Sequence, residues 1–169
     1  MKQISSIKKR FFLTEQHLMV LWNCLGKTGL GRWVFNYILR YAVPYSGSIQ
    51  PLVEKLSSGF VKVSIKDRRK LRNHLNCIHA IALANLGELA SGLAMISALP
   101  PSTRAIVSHF EMEYLKIARG KLTAIAIAKP PEKVIKPVSI LVHAEIKNQQ
   151  EEIVALAHVM WHLSSRKPL

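Results

Sequence analysis

Acidic side chains are scarce in this sequence: 10 Asp and Glu stand against 24 Lys and Arg among 169 residues, a formal charge of +14 at pH 7. Such a field suits an anionic partner, and nucleic acid, an acidic membrane surface or a phosphorylated cofactor would all respond to it. The cations are dispersed over Lys8 to Arg10, Lys66 to Arg72 and Lys116 to Lys121, with no zinc finger, aromatic strand motif or helix-turn-helix beside them. That dispersion argues against nucleic acid and leaves a solubilising basic surface as the plain alternative.

Cysteine is as rare. Cys24 and Cys77 have no paired spacing, which excludes a disulfide framework and a zinc site and fits a reducing, cytoplasmic setting. His74, His143, His158 and His162 show no metal-ligand spacing, so neither a metal nor a cofactor is called for. No G-x-S-x-G surrounds Ser91, Ser97 or Ser108, which sets a serine hydrolase aside. Met1 to Thr14 lacks the apolar run and small-residue site of a secretory signal.

What the chain does have is one long apolar stretch, Ile78 to Leu99, carrying His79, Asn85 and Glu88. Its length approaches the roughly 20 residues of a bilayer span, but an acid centred in lipid would cost several kcal/mol. A helix enclosed by protein is the cheaper reading. Ala80, Ala82, Ala84, Gly87, Ala90, Ser91, Gly92 and Ala94 are small enough to let strands approach its axis.

The flanks supply the enclosure. Thr14 to Leu25 reads as a helix, and Leu30, Trp33, Val34, Tyr37, Ile38 and Tyr41 form a helical stripe ended by Pro44. That stripe is expected to pack on a sheet, with a seat on anionic lipid or a cover over a pocket as the alternatives. Gly59 to Lys66 alternates like a strand with one buried face, and Ser48 to Leu56 is its hairpin partner despite Pro51. Thr103 to Ala118, Lys121 to Lys129, Val138 to Asn148 and Glu152 to Leu163 read as four further strands, with Arg119-Gly120 a tight connection and Lys129 to Pro137 a rim loop. Residues 1–45 thus form a helical extension and residues 46–169 an α+β domain, a long helix wrapped by an antiparallel sheet.

This order resembles the hotdog fold, and particular residues resemble its thioesterase superfamily, notably the phenylacetate-pathway type. There, Asn-x-x-Gly-x-x-His-Gly-Gly leads into the central helix and an acid follows nine residues after the His. Here Asn73 lies six before His79 and Glu88 nine after, and Glu113 to Ala124 (EYLKIARGKLTA) is similar to the segment that follows the helix. The similarity spans roughly Ser48 to Leu163; the helical extension lies outside it, as in a poorly characterised branch. Three positions depart: Asn76 replaces the first glycine, and Ala80 and Ile81 replace the glycine pair. Ile81 either narrows a pocket or lines an acyl slot.

The resemblance implies hydrolysis of an acyl-CoA or acyl-carrier thioester. Asn73 would orient the water or thioester, and His79 would hold the carbonyl end or fix the loop. Physically, a partly desolvated Glu88 suits a general base or a nucleophile, and helix-start N–H groups of Ala80 and Ile81 suit an oxyanion. Arg68, Arg69 and Arg72 could grip phosphates of coenzyme A or a carrier's acidic face. From His79, Glu88 lies about 13 Å along a helix and on the opposite face, so the two could meet only between copies. A homodimer, or a dimer of dimers, is therefore expected. The alternatives are a non-catalytic acyl-carrier binder on the same fold, a hydratase or dehydratase, and, for Glu88, a purely structural acid satisfied by Asn85, His109 or a cation.

Overall fold

A computed structural model describes residues 15–165, so the expectation about Met1 to Thr14 lies outside the described residues. Two helices open the chain, α1 (Glu15–Leu25) and α2 (Gly29–Ala42), followed by a single turn, α3 (Pro44–Gly47). Thr28 starts α2 as its N-cap, the hydroxyl oxygen accepting from the Gly31 N–H at 3.1 Å. A hairpin of β1 (Leu52–Ser57) and β2 (Phe60–Ile65) turns at Gly59, whose φ of +73° suits glycine. A short 3₁₀ turn (Arg69–Leu71) and a loop then lead into the long helix α4 (Ala80–Ala98). Four strands complete the chain: β3 (Thr103–Tyr114), β4 (Leu122–Ile127), β5 (Val138–Lys147) and β6 (Ile153–Ser165).

All six strands form one antiparallel sheet in the order β1-β2-β4-β5-β6-β3, wrapped around α4. This is the expected α+β hotdog architecture. Although α4 is long and apolar enough to cross a bilayer, most of it is buried within the protein. Its small residues allow the close approach: a Cβ built on Gly87 would stand 2.5 Å from the Ala157 Cβ of β6. Leu86, Ala90, Ala94 and Met95 meet Val63, Ala124, Ala144, Ala157 and Val159 in a core that also takes in Leu18, Phe35 and Leu39 of the first two helices.

Two expectations need correction. Arg119-Gly120 is no tight turn between paired strands, because β3 pairs with β6 at the sheet edge and residues 115–121 carry the chain across to β4. Strand β3 also stops at Tyr114 rather than Ala118. Second, α2 is a helix as expected but its face is reversed: Gly31, Phe35, Asn36 and Leu39 are buried while Leu30, Trp33, Tyr37 and Tyr41 are exposed. Asn36 explains the choice. Its Oδ1 accepts from the Val53 N–H at 2.6 Å and its Nδ2 donates to the Val53 carbonyl at 3.3 Å, so a polar side chain, invisible to a hydrophobic count, pairs with the edge strand β1.

Edge strand β3 contains a bulge between Val107 and His109. Before it the residues turned inward are Thr103, Ala105 and Val107; beyond it they are Phe110 and Met112. The extra residue shifts the two-residue alternation by one, so Val107 and Phe110 share a face that a regular strand would deny them.

Candidate active site

Glu88 sits at the middle of α4, and one to two turns earlier Asn85 and Ile81 share its face. These three line a cavity of about 650 Å³. Val107 and Phe110 of β3 form a second wall, and the corner between α2 and α3, at Val43, Pro44 and Tyr45, forms a third. The lining is mainly apolar. Burial alone pushes the Glu88 carboxyl up from the ordinary glutamate range.

A purely structural acid would be expected to accept from its neighbour's amide, and here that amide donates elsewhere. Asn85 Nδ2 donates to the Tyr45 carbonyl at 3.3 Å, and Asn85 Oδ1 is buried with no hydrogen-bond partner among the described residues. The cavity wall therefore holds a carboxyl raised towards its neutral form and an unsatisfied amide oxygen one turn apart. Among the described residues, Glu88 makes no ion pair, and His109 is exposed.

The loop before α4 forms a second centre. Asn73 Oδ1 accepts from the Leu75 N–H at 2.9 Å, the Cys77 N–H at 3.3 Å and the Cys77 thiol at 3.3 Å, so its carbonyl oxygen shapes the turn. Asn76 stands at φ +54°, where an asparagine is the side chain that most readily replaces glycine, and its Oδ1 accepts from Arg72 Nη1 at 3.0 Å. Asparagine is thus compatible with the left-handed backbone that this position adopts.

His79 is the N-cap of α4. Its Nδ1 accepts from the Ile81 N–H at 3.1 Å, which requires that nitrogen to be unprotonated. This corrects the expected pair of free oxyanion donors, since the Ile81 N–H is engaged. The Ala80 N–H has no hydrogen bond to another described residue, and it points out of the positive end of α4. Tyr114, at the end of β3, donates its hydroxyl to the Ala80 carbonyl at 3.1 Å and fixes this tip.

The expected phosphate-gripping arginines are divided. Arg68 donates to the Ile49 carbonyl at 2.6 Å, and Arg72 pairs with Asp67 at 2.7 Å, whose other oxygen accepts from the Gly120 N–H at 2.9 Å. Both are used to hold loops. Arg69 lies exposed in the 3₁₀ turn.

Within one chain, then, the structure brings Glu88 and Ile81 together on the cavity and places Asn73, His79 and Ala80 at the helix tip. Sequence reasoning named Asn85 only as a possible partner of Glu88 and passed over Tyr45, Val107 and Phe110. The signal for Asn85 was its place as a second polar residue one turn from the acid in an otherwise apolar helix; the other three offered none.

A long helix wrapped by this antiparallel sheet defines the hotdog class of fold. Residues 31–163 match the family described as a domain of unknown function, DUF4442, and the chain belongs to that family. Among solved structures, a structural-genomics target is 25% identical, with a TM-score of 0.75 over 88% of this chain and 97% of that one. A Pseudomonas aeruginosa protein described as a probable thioesterase is 18% identical, with a TM-score of 0.68 over 77% of this chain and 93% of that one. The Escherichia coli PaaI protein from the phenylacetic acid degradation operon is 22% identical, with a TM-score of 0.61 over 78% of this chain and 97% of that one. A search of curated proteins by sequence gave no match.

Proposed function

We propose that this protein is an acyl thioesterase, hydrolysing an acyl-CoA or acyl-carrier thioester at a site shared by two copies of the chain. The observation that carries this reading is the desolvated Glu88 carboxyl in the wall of a mainly apolar cavity of about 650 Å³, ample for an acyl group. Ionised Glu88 would draw a proton from water attacking the thioester carbonyl, or attack that carbon itself and leave an anhydride for water to open. The thiolate of the carrier departs in either case. A free Ala80 N–H at the tip of α4 suits the oxyanion, provided it comes from the second copy.

The 12-residue edge strand β3 supports pairing of copies. Its outer backbone groups lack a strand partner among the described residues, and its inner face already walls the cavity through Val107 and Phe110. A second copy on that edge would bring its helix tip towards the cavity. Arg69 and the neighbouring Lys70, both exposed, would then be available to the carrier's phosphates.

A second reading, a non-catalytic acyl-carrier binder, draws on the engagement of Asn73 Oδ1 and the Ile81 N–H within the loop. A thiol-release assay over a panel of acyl-CoA esters separates the two. Turnover lost in Glu88→Gln upholds the thioesterase; acyl-CoA binding without turnover by the native protein upholds the binder. A sedimentation mass equal to one chain at assay concentration would sink the shared site.

A further inference from the structure

The stripe that sequence reasoning turned inward is presented to solvent. Leu30, Trp33, Tyr37 and Tyr41 are 75%, 63%, 64% and 84% exposed, and Tyr45, just beyond α2, is 74% exposed. The first four recur at i, i+3, i+7 and i+11, one continuous face of α2. Trp33 and Tyr37 stack at 6.0 Å between ring centroids, so the aromatics form a contiguous patch rather than isolated residues. The opposite face is fixed: Phe35 and Leu39 are in the core, Asn36 is tied to Val53, and Arg40 donates to the Pro51 carbonyl at 3.0 Å. The patch therefore cannot rotate inward.

Its charge setting is one-sided. Over residues 1–53 the sequence has Lys2, Lys8, Lys9, Arg10, Lys27, Arg32 and Arg40 and a single acid, Glu15. Lys27 and Arg32 are exposed at the start of α2. A face of tryptophan and tyrosine, whose rings are apolar but whose polar edges stay wet, in a stretch of sequence with seven cations and one acid, has the chemistry of the interfacial layer of an anionic bilayer. A second copy is a poor occupant, since a two-fold contact centred on α2 would bring two strongly basic N-terminal regions together, each with seven cations and one acid in its sequence.

We propose that the exposed face of α2, Leu30, Trp33, Tyr37 and Tyr41, seats this protein on a membrane surface of anionic phospholipid. The binding has two parts, shallow burial of the aromatic face and attraction of the cations to lipid headgroups, neither of which suffices alone. Because Val43, Pro44 and Tyr45, which follow α2, wall the Glu88 cavity, the same seat holds one rim of that cavity at the lipid. The docking does not depend on thioester hydrolysis, and its test does not read turnover.

The test is co-sedimentation of the full chain with phosphatidylglycerol and with phosphatidylcholine vesicles, alongside acrylamide quenching of tryptophan. The expected result is binding to phosphatidylglycerol vesicles that weakens with salt, little binding to phosphatidylcholine, and protection of Trp33 on lipid addition. Trp33→Ala/Tyr37→Ala/Tyr41→Ala should lower partitioning about tenfold or more, and Lys27→Glu/Arg32→Glu should lower it for phosphatidylglycerol alone. Unchanged circular dichroism keeps both variants interpretable. Absence of binding to phosphatidylglycerol, or binding that the aromatic variant retains in full, overturns the proposal. So does a Trp33 already shielded before lipid is added, which would mean that another part of the chain or a second copy covers the face.

Discussion

Asn85 and Glu88 stand one turn apart on the central helix, the first with a buried oxygen lacking a partner and the second with a carboxyl pushed up by burial, both facing one cavity. The site thus combines an amide oxygen that the fold leaves without a hydrogen bond and a carboxyl whose charged form burial disfavours. Each cost is borne by stability, which makes the pair open to measurement.

For Glu88 the sign is set by the direction of the shift. The folded state holds the proton more tightly than the unfolded one, so stability falls as pH rises from the ordinary glutamate range through the raised folded value. Below that window the acid is neutral in both states and carries no penalty. Glu88→Gln should therefore match the native Tm in acid and exceed it near neutral pH, a difference that thermal melts across pH would show. In the same variant thioester turnover should drop about a hundredfold or more, and in the native protein the rate should rise with pH through the raised value. A flat difference in Tm across pH would remove the desolvated acid from the argument.

Asn76 tests the loop before the helix. Since its φ is +54°, Asn76→Gly should leave Tm nearly unchanged apart from the lost Arg72 contact, whereas Asn76→Val should destabilise by about 1–2 kcal/mol. Denaturant titration of the three proteins gives the order directly, and equal midpoints for Gly and Val would contradict the left-handed backbone.

Removing the amide of Asn36 leaves the buried Val53 N–H without its partner. Asn36→Leu should cost about 1–3 kcal/mol even though it adds apolar surface to a buried position. Hydrogen exchange should accelerate at Val53 specifically; uniform acceleration throughout the sheet would point to a general packing defect instead.

Gly87 sets the distance between α4 and β6. Gly87→Ala would drive a methyl group into Ala157, at 2.5 Å, and should cost about 1–3 kcal/mol although alanine is the better helix former. Pairing it with Ala157→Gly should recover part of the loss in a double-mutant cycle. Strict additivity of the two changes would show that the contact is not where the strain lies.

Much of this was legible in the chain. The order of helices and strands, the buried helix and the position of its acid follow from local period and composition, because alternation and helical spacing record which side of each element meets water. The spacing of Asn73, His79 and Glu88, taken with the order of elements, led to the resemblance to the hotdog fold, which the solved structures share. The face of α2 was misjudged because Asn36 counts as polar in a sequence yet is buried through two hydrogen bonds that only the neighbouring edge strand provides.

What the sequence alone determined is therefore each element and its apolar content, together with the charge that surrounds it. What only the tertiary structure decided is who meets whom: the bulge that turns both Val107 and Phe110 to the cavity, the crossing from β3 to β4, and the Tyr45 carbonyl that takes up Asn85 and leaves its oxygen bare. These depend on contacts between segments distant in the chain, whose partners are fixed by packing around α4 and leave no mark in local spacing.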